Sequence, residues 1–160
     1  MKDAESARVT TFVDVSPGDA FEVFTTEVDL WWRRGPRFRG GGPGSEMRFE
    51  QDAAGTRLVE RSGADEFEIG RVHVWEPGAR LVFDWRGRNF APEERTTVEV
   101  RFEPFATGTR VTLEHRGWDA IRSDHPARHG MTGDAFSGMI GLYWGDLLTP
   151  YRQHAHPRAR

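Results

Sequence analysis

TGDAFSGMIGLYWGDLLTPYRQH, residues 132–154, is the stretch that decides the fold. Its large apolar residues recur at spacings of three and four, which places them on one face of an α-helix. These residues are Phe136, Ile140, Tyr143, Trp144, Leu147 and Tyr151. Upstream segments instead alternate apolar and polar residues with a period of two. The pattern therefore predicts one long C-terminal helix that covers a β-sheet built from most of the preceding chain.

Three glycines lie within this predicted helix, Gly138, Gly141 and Gly145, again at spacings of three and four. A glycine inside a helix costs about 1 kcal/mol relative to alanine, so three of them on adjoining turns indicate a groove. Either a strand backbone packs closely against this groove, which is the preferred interpretation, or the groove leaves space for a ligand.

Composition limits the classes of function. The 160 residues carry 22 basic and 25 acidic side chains, a net charge of −3, which excludes a general binder of nucleic acid or other polyanions. No cysteine is present, so there is no disulfide, thiolate nucleophile or cysteine-based zinc site. No apolar signal segment or run long enough to span a membrane occurs, which predicts a cytoplasmic protein. We expect a single domain, residues 1–160, with its core at about 8–154.

The first elements are predicted from local composition. Residues 8–15 are rich in β-branched side chains and predict a strand. Ser16 followed by Pro17 is typical of a helix N-terminus, and the short helix that follows should end near Trp31 and Trp32. We expect one of these tryptophans to pack in the core and the other to lie at an opening.

The middle of the chain predicts a loop followed by a meander. Residues 33–44 are rich in glycine, proline and arginine and predict a long loop, either a lid or a plain connector. From residue 45 to residue 116 the apolar and polar side chains alternate, which predicts consecutive antiparallel strands, and residues 66–75 form the longest of them. Residues 117–131 predict an irregular connection into the C-terminal helix, which Thr132 could cap.

The predicted strand 66–75 has two candidate inner faces. One carries Arg71 and His73 together with aromatic and apolar residues, and the other carries Val72 and Val74. If the first face is inside, Arg71 and His73 point into an apolar cavity and would orient a ligand. The alternation alone leaves both assignments open.

Several local strings resemble one family throughout nearly the whole chain. They are VDVSP with AF and Phe24 (13–24), WW (31–32), GRV and WEP (70–77), RLVFDW (80–85), TVEVRF (97–102) and GTRVTLEHRGW (108–118). On these strings the chain resembles the START-like (SRPBCC, helix-grip) superfamily, and within it the family related to the activator of the heat-shock protein 90 ATPase. The resemblance implies an α+β helix-grip fold, in which a curved antiparallel sheet wraps around the C-terminal helix with an apolar cavity between them. Members of this superfamily share an architecture but no single reaction, so the resemblance implies a fold and not a specific activity.

Candidate catalytic and metal-binding groups are few. His115 lies on the inner face of its predicted strand, where a hydrogen-bonded core histidine is preferred over a catalytic or ligand-contacting one. Asp84 points away from its apolar neighbours and is expected to be solvated. His125 and His129 could share a metal with Asp124, but adjacent proline and glycine favour a surface loop. No Gly-x-Ser-x-Gly motif is present. The sequence therefore predicts no catalytic residue, no metal ligand and no cofactor.

A binding cavity is the remaining functional prediction. Six tryptophans and eleven phenylalanines require either a thick core or a lined cavity, and small-molecule sites are mostly apolar. The predicted lining is Trp32, Phe38, Phe49, Phe83, Trp85, His115, Met139, Tyr143 and Trp144.

We therefore expect a small hydrophobic or aromatic partner, no nucleic acid partner, no membrane span and no assigned reaction, with the oligomeric state open. Three alternatives stay open, namely a polyketide cyclase or dehydratase-like enzyme, a chaperone co-factor-like interaction protein and a self-sacrificing antibiotic-resistance domain.

Overall fold

The computed structural model describes residues 5–157, which form one curved antiparallel sheet and a long C-terminal helix. The strands are β1 (Ala7–Val13), β2 (Glu46–Asp52), β3 (Gly55–Ser62), β4 (Asp65–Glu76), β5 (Arg80–Trp85), β6 (Thr96–Phe105) and β7 (Gly108–Arg116). The helices are α1 (Pro17–Thr25), α2 (Val28–Trp31) and α3 (Gly133–His154), and two 3-10 turns (Trp118–Ala120 and Pro126–Arg128) lie between β7 and α3. The sheet order is β1-β7-β6-β5-β4-β3-β2. The predicted α+β helix-grip fold is confirmed.

Local signals account for the ends of the helices. The Ser16 hydroxyl accepts a 3.2 Å hydrogen bond from the Asp19 amide, and Pro17 occupies the first turn of α1, as predicted. Thr132 lies at the N-cap of α3, but its side chain makes no capping hydrogen bond. None of the helices within residues 5–157 is both long and apolar enough to cross a membrane.

The apolar stripe of α3 is buried against the sheet and α1. Phe136, Trp144, Leu147 and Tyr151 have no exposed surface. The Tyr151 hydroxyl donates a 2.8 Å hydrogen bond to the Ala20 carbonyl of α1, so this polar atom is satisfied inside the core. The predicted helix and its buried face are therefore confirmed.

The preferred interpretation of the three glycines was wrong. A Cβ atom added at Gly138, Gly141 or Gly145 would meet no heavy atom of the described residues, 5–157, within 4 Å outside the local helix backbone. No strand approaches these glycines, because they lie beside the buried stripe and not within it. Their spacing therefore reflects an uncovered side of α3.

Strand β4 does not alternate regularly, because its register shifts against β3 at Leu58/Val59 and against β5 between Val72 and Val74. At each irregularity, the set of side chains that points inward shifts by one residue along the strand. Val72 packs against the core, whereas Arg71 forms two 2.7 Å hydrogen bonds with the Asp52 carboxylate on the outer face.

His73 lies on the same outer face, 2.8 Å from a carboxylate oxygen of Asp84. The hypothesis that Arg71 and His73 orient a ligand in the cavity is therefore not supported. The expectation that Asp84 is solvated was also wrong, since it is 7% exposed and lies between His73 and Arg95.

Both tryptophans of the pair after α1 are buried, at 2% exposure each, so the prediction that one lies at an opening was wrong. The Trp31 indole N–H donates to the Val23 carbonyl and that of Trp32 to the Phe38 carbonyl, both at 3.0 Å. A tryptophan can be buried when its N–H finds an acceptor, and here both do.

Candidate functional site

A cavity of about 270 Å³ opens between the sheet, the N-terminal half of α3 and the connections around them. Its wall is predominantly aromatic and aliphatic. The lining residues are Arg37, Trp85, Gly87, Asn89, Phe90, His115, Trp118, Ala127, His129, Met139, Ile140 and Tyr143. The sheet and α3 supply four of the predicted residues, and the connecting segments supply a wall that the sequence did not indicate.

His115, on β7, is held by hydrogen bonds at both ring nitrogens. The Trp144 indole N–H donates to Nδ1 at 2.9 Å, and an indole nitrogen can only donate. The proton of the neutral imidazole is therefore on Nε2, which donates to the Thr96 hydroxyl at 2.7 Å, and that hydroxyl donates to the Trp85 carbonyl at 3.3 Å. Complete burial lowers the pKa of His115 to about 3. His115 presents a neutral, fully bonded ring to the cavity, as the core interpretation predicted.

Trp118 differs from His115, because its polar atom has no hydrogen-bond partner among the described residues. It is 2% exposed, it lines the cavity, and its indole N–H has no hydrogen-bond acceptor within residues 5–157. Its ring is fixed edge-on against Phe136, with ring centres 4.7 Å apart, and against Phe90 at 5.8 Å. A buried donor without an acceptor costs roughly 1–3 kcal/mol.

The connection that carries Trp118 is fixed by a buried arginine. Arg128 donates to the Glu5 carboxylate at 2.7 and 3.0 Å, and to the Trp118 and Ile121 carbonyls at 2.8 Å. The partner carboxylate lies just before β1, so the connection is tied to the edge of the sheet. Trp118 is therefore held in position by contacts within the protein.

Tyr143, on α3, forms the wall nearest the 33–44 loop. Its ring lies 5.2 Å from that of Phe38 and 6.1 Å from that of Trp85, and the Arg37 guanidinium lies 5.7 Å from its centre. Burial raises the pKa of the Tyr143 hydroxyl above its usual range, so the phenol stays protonated and can donate.

The loop 33–44 is fixed by Arg39, which has no exposed surface. Arg39 donates to the Asp29 carboxylate at 2.6 Å and to the Trp32 and Ser45 carbonyls at 2.7 and 2.9 Å. The loop is thus anchored to the fold, and it places Arg37 and Phe38 beside the cavity.

A second recess of about 360 Å³ adjoins the cavity on the loop side. The two share part of their walls, namely Arg37, Trp85, Gly87, Asn89 and Tyr143. The recess continues past Phe38, Phe67 and Ile69 to a group of charged side chains. One elongated molecule could therefore contact both spaces.

The nine predicted lining residues divide into four groups. Trp85, His115, Met139 and Tyr143 line the cavity, and Phe38 lines the adjoining recess. Trp32, Phe83 and Trp144 are instead buried in the core away from both openings, and Phe49 borders a separate groove beside Trp75.

Trp144 is covered because its N–H reaches His115 and its ring packs edge-on against Trp32 and Trp85. The residues that sequence reasoning missed include Trp118 and Phe90. They lie in irregular connections, where no periodicity reports which way a side chain points.

The histidines of the predicted loop do not form a metal site. His125 is buried, contrary to the surface-loop interpretation; its Nδ1 accepts from the Ala127 amide and its Nε2 lies 3.0 Å from the Glu94 carboxylate. His129 instead borders the cavity. Within residues 5–157 no group of three potential metal-ligating side chains occurs.

Known structures share this architecture. A protein from Chromobacterium violaceum is 15% identical, with 96% of this chain and 99% of that chain covered and a TM-score of 0.61. The Aha1 dimer from Colwellia psychrerythraea is 16% identical, with 94% and 96% covered and a TM-score of 0.59. CalU16 from Micromonospora echinospora is 17% identical, with 95% and 76% covered and a TM-score of 0.57. At these identities the likeness establishes the fold alone.

Sequence comparison gives the family. No curated protein matches the chain significantly. The profile described as "Activator of Hsp90 ATPase homolog 1-like protein" matches residues 14–135, which is most of the chain. The resemblance found in the strand and turn strings is thereby confirmed, and the protein belongs to the family of Activator of Hsp90 ATPase homolog 1-like proteins.

Proposed function

We propose that this protein binds a small aromatic molecule with a hydrogen-bond acceptor in the cavity between the sheet and α3. The observation that carries the proposal is Trp118, which lines this aromatic wall and whose buried indole N–H has no acceptor within residues 5–157. A site of this kind combines apolar contact with a few fixed polar groups.

The surroundings of Trp118 support an aromatic guest. Trp85 and Tyr143 line the same space, and aromatic rings prefer offset or edge-to-face neighbours with centres about 4.5–7 Å apart. The Tyr143 hydroxyl adds a second donor in its protonated form. Binding without catalysis is favoured over a cyclase or dehydratase, because His115, the buried histidine of the cavity wall, already uses its lone pair to accept from Trp144.

The test uses 6-propionyl-2-dimethylaminonaphthalene, a neutral fluorescent naphthalene whose carbonyl is a hydrogen-bond acceptor. We expect its emission to change on saturable binding to the wild-type protein. Met139→Trp should fill the cavity and weaken binding by about tenfold or more. Leu142→Trp is the matched control, since Leu142 lies on the same helix at 69% exposure and outside the cavity.

A second variant addresses the polar contact. Trp118→Phe keeps a ring against Phe136 but removes the N–H, and we expect the probe to bind about tenfold more weakly. Thermal unfolding of each variant verifies that it is folded. Absence of saturable binding, or equal binding by Met139→Trp and Leu142→Trp, would contradict the proposal.

A further inference from the structure

The recess beside the cavity has an unbalanced charge. Its lining contains three arginines, Arg37, Arg86 and Arg88, and one carboxylate, Glu60. The other lining side chains are neutral, and they include Phe38, Phe67 and Tyr143. Cations gathered at an apolar wall without equal negative charge attract an anion.

The Glu60 carboxylate does not pair with all three arginines. Glu60 is 3% exposed, and its two oxygens accept from the Arg88 guanidinium at 3.1 Å and from the Gly41 amide at 2.8 Å. Arg37 pairs with the Asp146 carboxylate at 2.6 Å, on the helix side of the recess. Arg88 and Arg37 are thus each matched to an acidic group.

Arg86 is the unmatched cation. Within residues 5–157 its side chain forms no salt bridge, and its Nε is buried without a hydrogen-bond partner. Its guanidinium lies 5.8 Å from the centre of the Phe67 ring, over which Arg88 also lies at 4.6 Å. The side chain is partly exposed and lines the recess, so its terminal N–H groups, and not the inaccessible Nε, are the donors that an anion would meet.

We infer that this recess is an anion subsite, in which Arg86 binds a carboxylate, sulfonate or phosphate group of the molecule whose aromatic part occupies the cavity. The inference rests on the proposed function and narrows its ligand to aromatic acids. The five residues shared by the recess and the cavity allow one molecule to contact both. An arginine fork matches the geometry of an oxyanion and gives charge-assisted hydrogen bonds.

Two fluorescent probes with one skeleton separate the two spaces. N-phenyl-1-naphthylamine is neutral and requires only the cavity, whereas 1-anilinonaphthalene-8-sulfonate adds an anionic group. We expect Arg86→Gln to weaken binding of the sulfonate probe by about tenfold or more and to leave binding of the neutral probe unchanged. Arg86→Lys should retain part of the affinity, because it keeps the charge but loses the fork.

Arg8→Gln is the matched control for net charge. Arg8 lies on β1, at the opposite edge of the sheet, with a side chain that is 70% exposed, and its loss should affect neither probe. Circular dichroism melting verifies that each variant is folded.

The outcomes separate this inference from the function on which it rests. Unchanged sulfonate binding in Arg86→Gln, or the same loss for both probes, would overturn the anion subsite while the neutral probe still reports the cavity. Failure of the neutral probe to bind the wild-type protein would instead count against the proposed function and remove the inference with it.

Discussion

The indole N–H of Trp144 donates a 2.9 Å hydrogen bond to Nδ1 of His115, across the interface between α3 and β7. Both side chains are buried, at 0% and 1% exposure. The bond joins the helix to the sheet and assigns the imidazole proton to Nε2, because an indole cannot accept. His115 therefore acts as a structural hydrogen-bond donor and acceptor at the cavity wall, and it has no free lone pair with which to abstract a proton.

The burial of His115 predicts how the stability of the protein responds to acid. Burial lowers the pKa of His115 to about 3 from its usual 6.5, so between these values the unfolded chain binds a proton that the folded protein does not. The free energy of unfolding should therefore fall as the pH falls through this window, by at most about 1.4 kcal/mol per pH unit from this group. Above the window the contribution is fully present.

Urea unfolding of the wild-type protein and of His115→Gln across this window measures the effect. Carboxylates titrate in both proteins, so the difference between the two slopes isolates the histidine. Parallel curves would show that His115 does not titrate as its burial predicts.

Two glycine substitutions should have opposite effects. At Gly70 an added Cβ would lie 1.6 Å from the Asp84 carbonyl oxygen, so Gly70→Ala should lower the free energy of unfolding by about 2 kcal/mol or more. At Gly138 nothing lies within 4 Å, so Gly138→Ala should raise it by up to about 1 kcal/mol through helix propensity. Chemical denaturation measures both. A destabilised Gly138→Ala would mean that this side of α3 is covered.

A proline inside α3 predicts coupling to the loop. Pro150 has no N–H to donate to the Asp146 carbonyl four residues earlier, and Arg33 donates to that carbonyl instead, at 2.6 Å. Arg33→Met should lower the free energy of unfolding by about 1 kcal/mol, and by less in a Pro150→Ala background, where the amide returns. A double-mutant cycle measures the coupling. Strict additivity would show that Arg33 does not compensate for the proline.

The buried Arg39 should be the principal anchor of the 33–44 loop. Arg39→Met removes a buried donor from the Asp29 carboxylate and from the Trp32 and Ser45 carbonyls, so we expect a loss of about 2 kcal/mol or more and faster amide exchange in the loop. Arg48→Met is the control, since Arg48 is 60% exposed and, in the part of the chain that the structure describes, pairs only with Glu46. It should change stability by less than about 0.5 kcal/mol. Similar losses in both variants would refute the anchoring role.

Much of the fold was predictable because it follows short-range patterns. The three- and four-residue spacing from Phe136 to Tyr151 predicted α3 to within one residue of its start at Gly133. Alternation predicted the β6–β7 hairpin, and β7 buries every second residue, ending with His115. These patterns report which side of an element is apolar, and burial of that side follows from the hydrophobic effect alone.

The candidate site was predicted only in part. Of the predicted lining residues, Trp85, His115, Met139 and Tyr143 border the cavity, whereas Trp144 is buried. Tyr143 and Trp144 are adjacent on α3, so they point in directions about 100° apart, and both belong to the apolar stripe. The residues packed opposite each side chain decide which of the two borders the cavity. His115 lies opposite Trp144 and accepts a hydrogen bond from its indole N–H.

By itself the sequence determined the element order, the buried face of α3 and the family. The tertiary structure alone decided which face of β4 points inward, because two register shifts change which residues face the core and turn Val72 toward it. It also decided the position of the cavity beside Trp118. It alone paired Glu60 with Arg88 and left Arg86 without a carboxylate among residues 5–157. The physical reason is that periodicity is set by each element's own backbone geometry, whereas a cavity and its unpaired charges arise from distances between elements that are far apart in the chain.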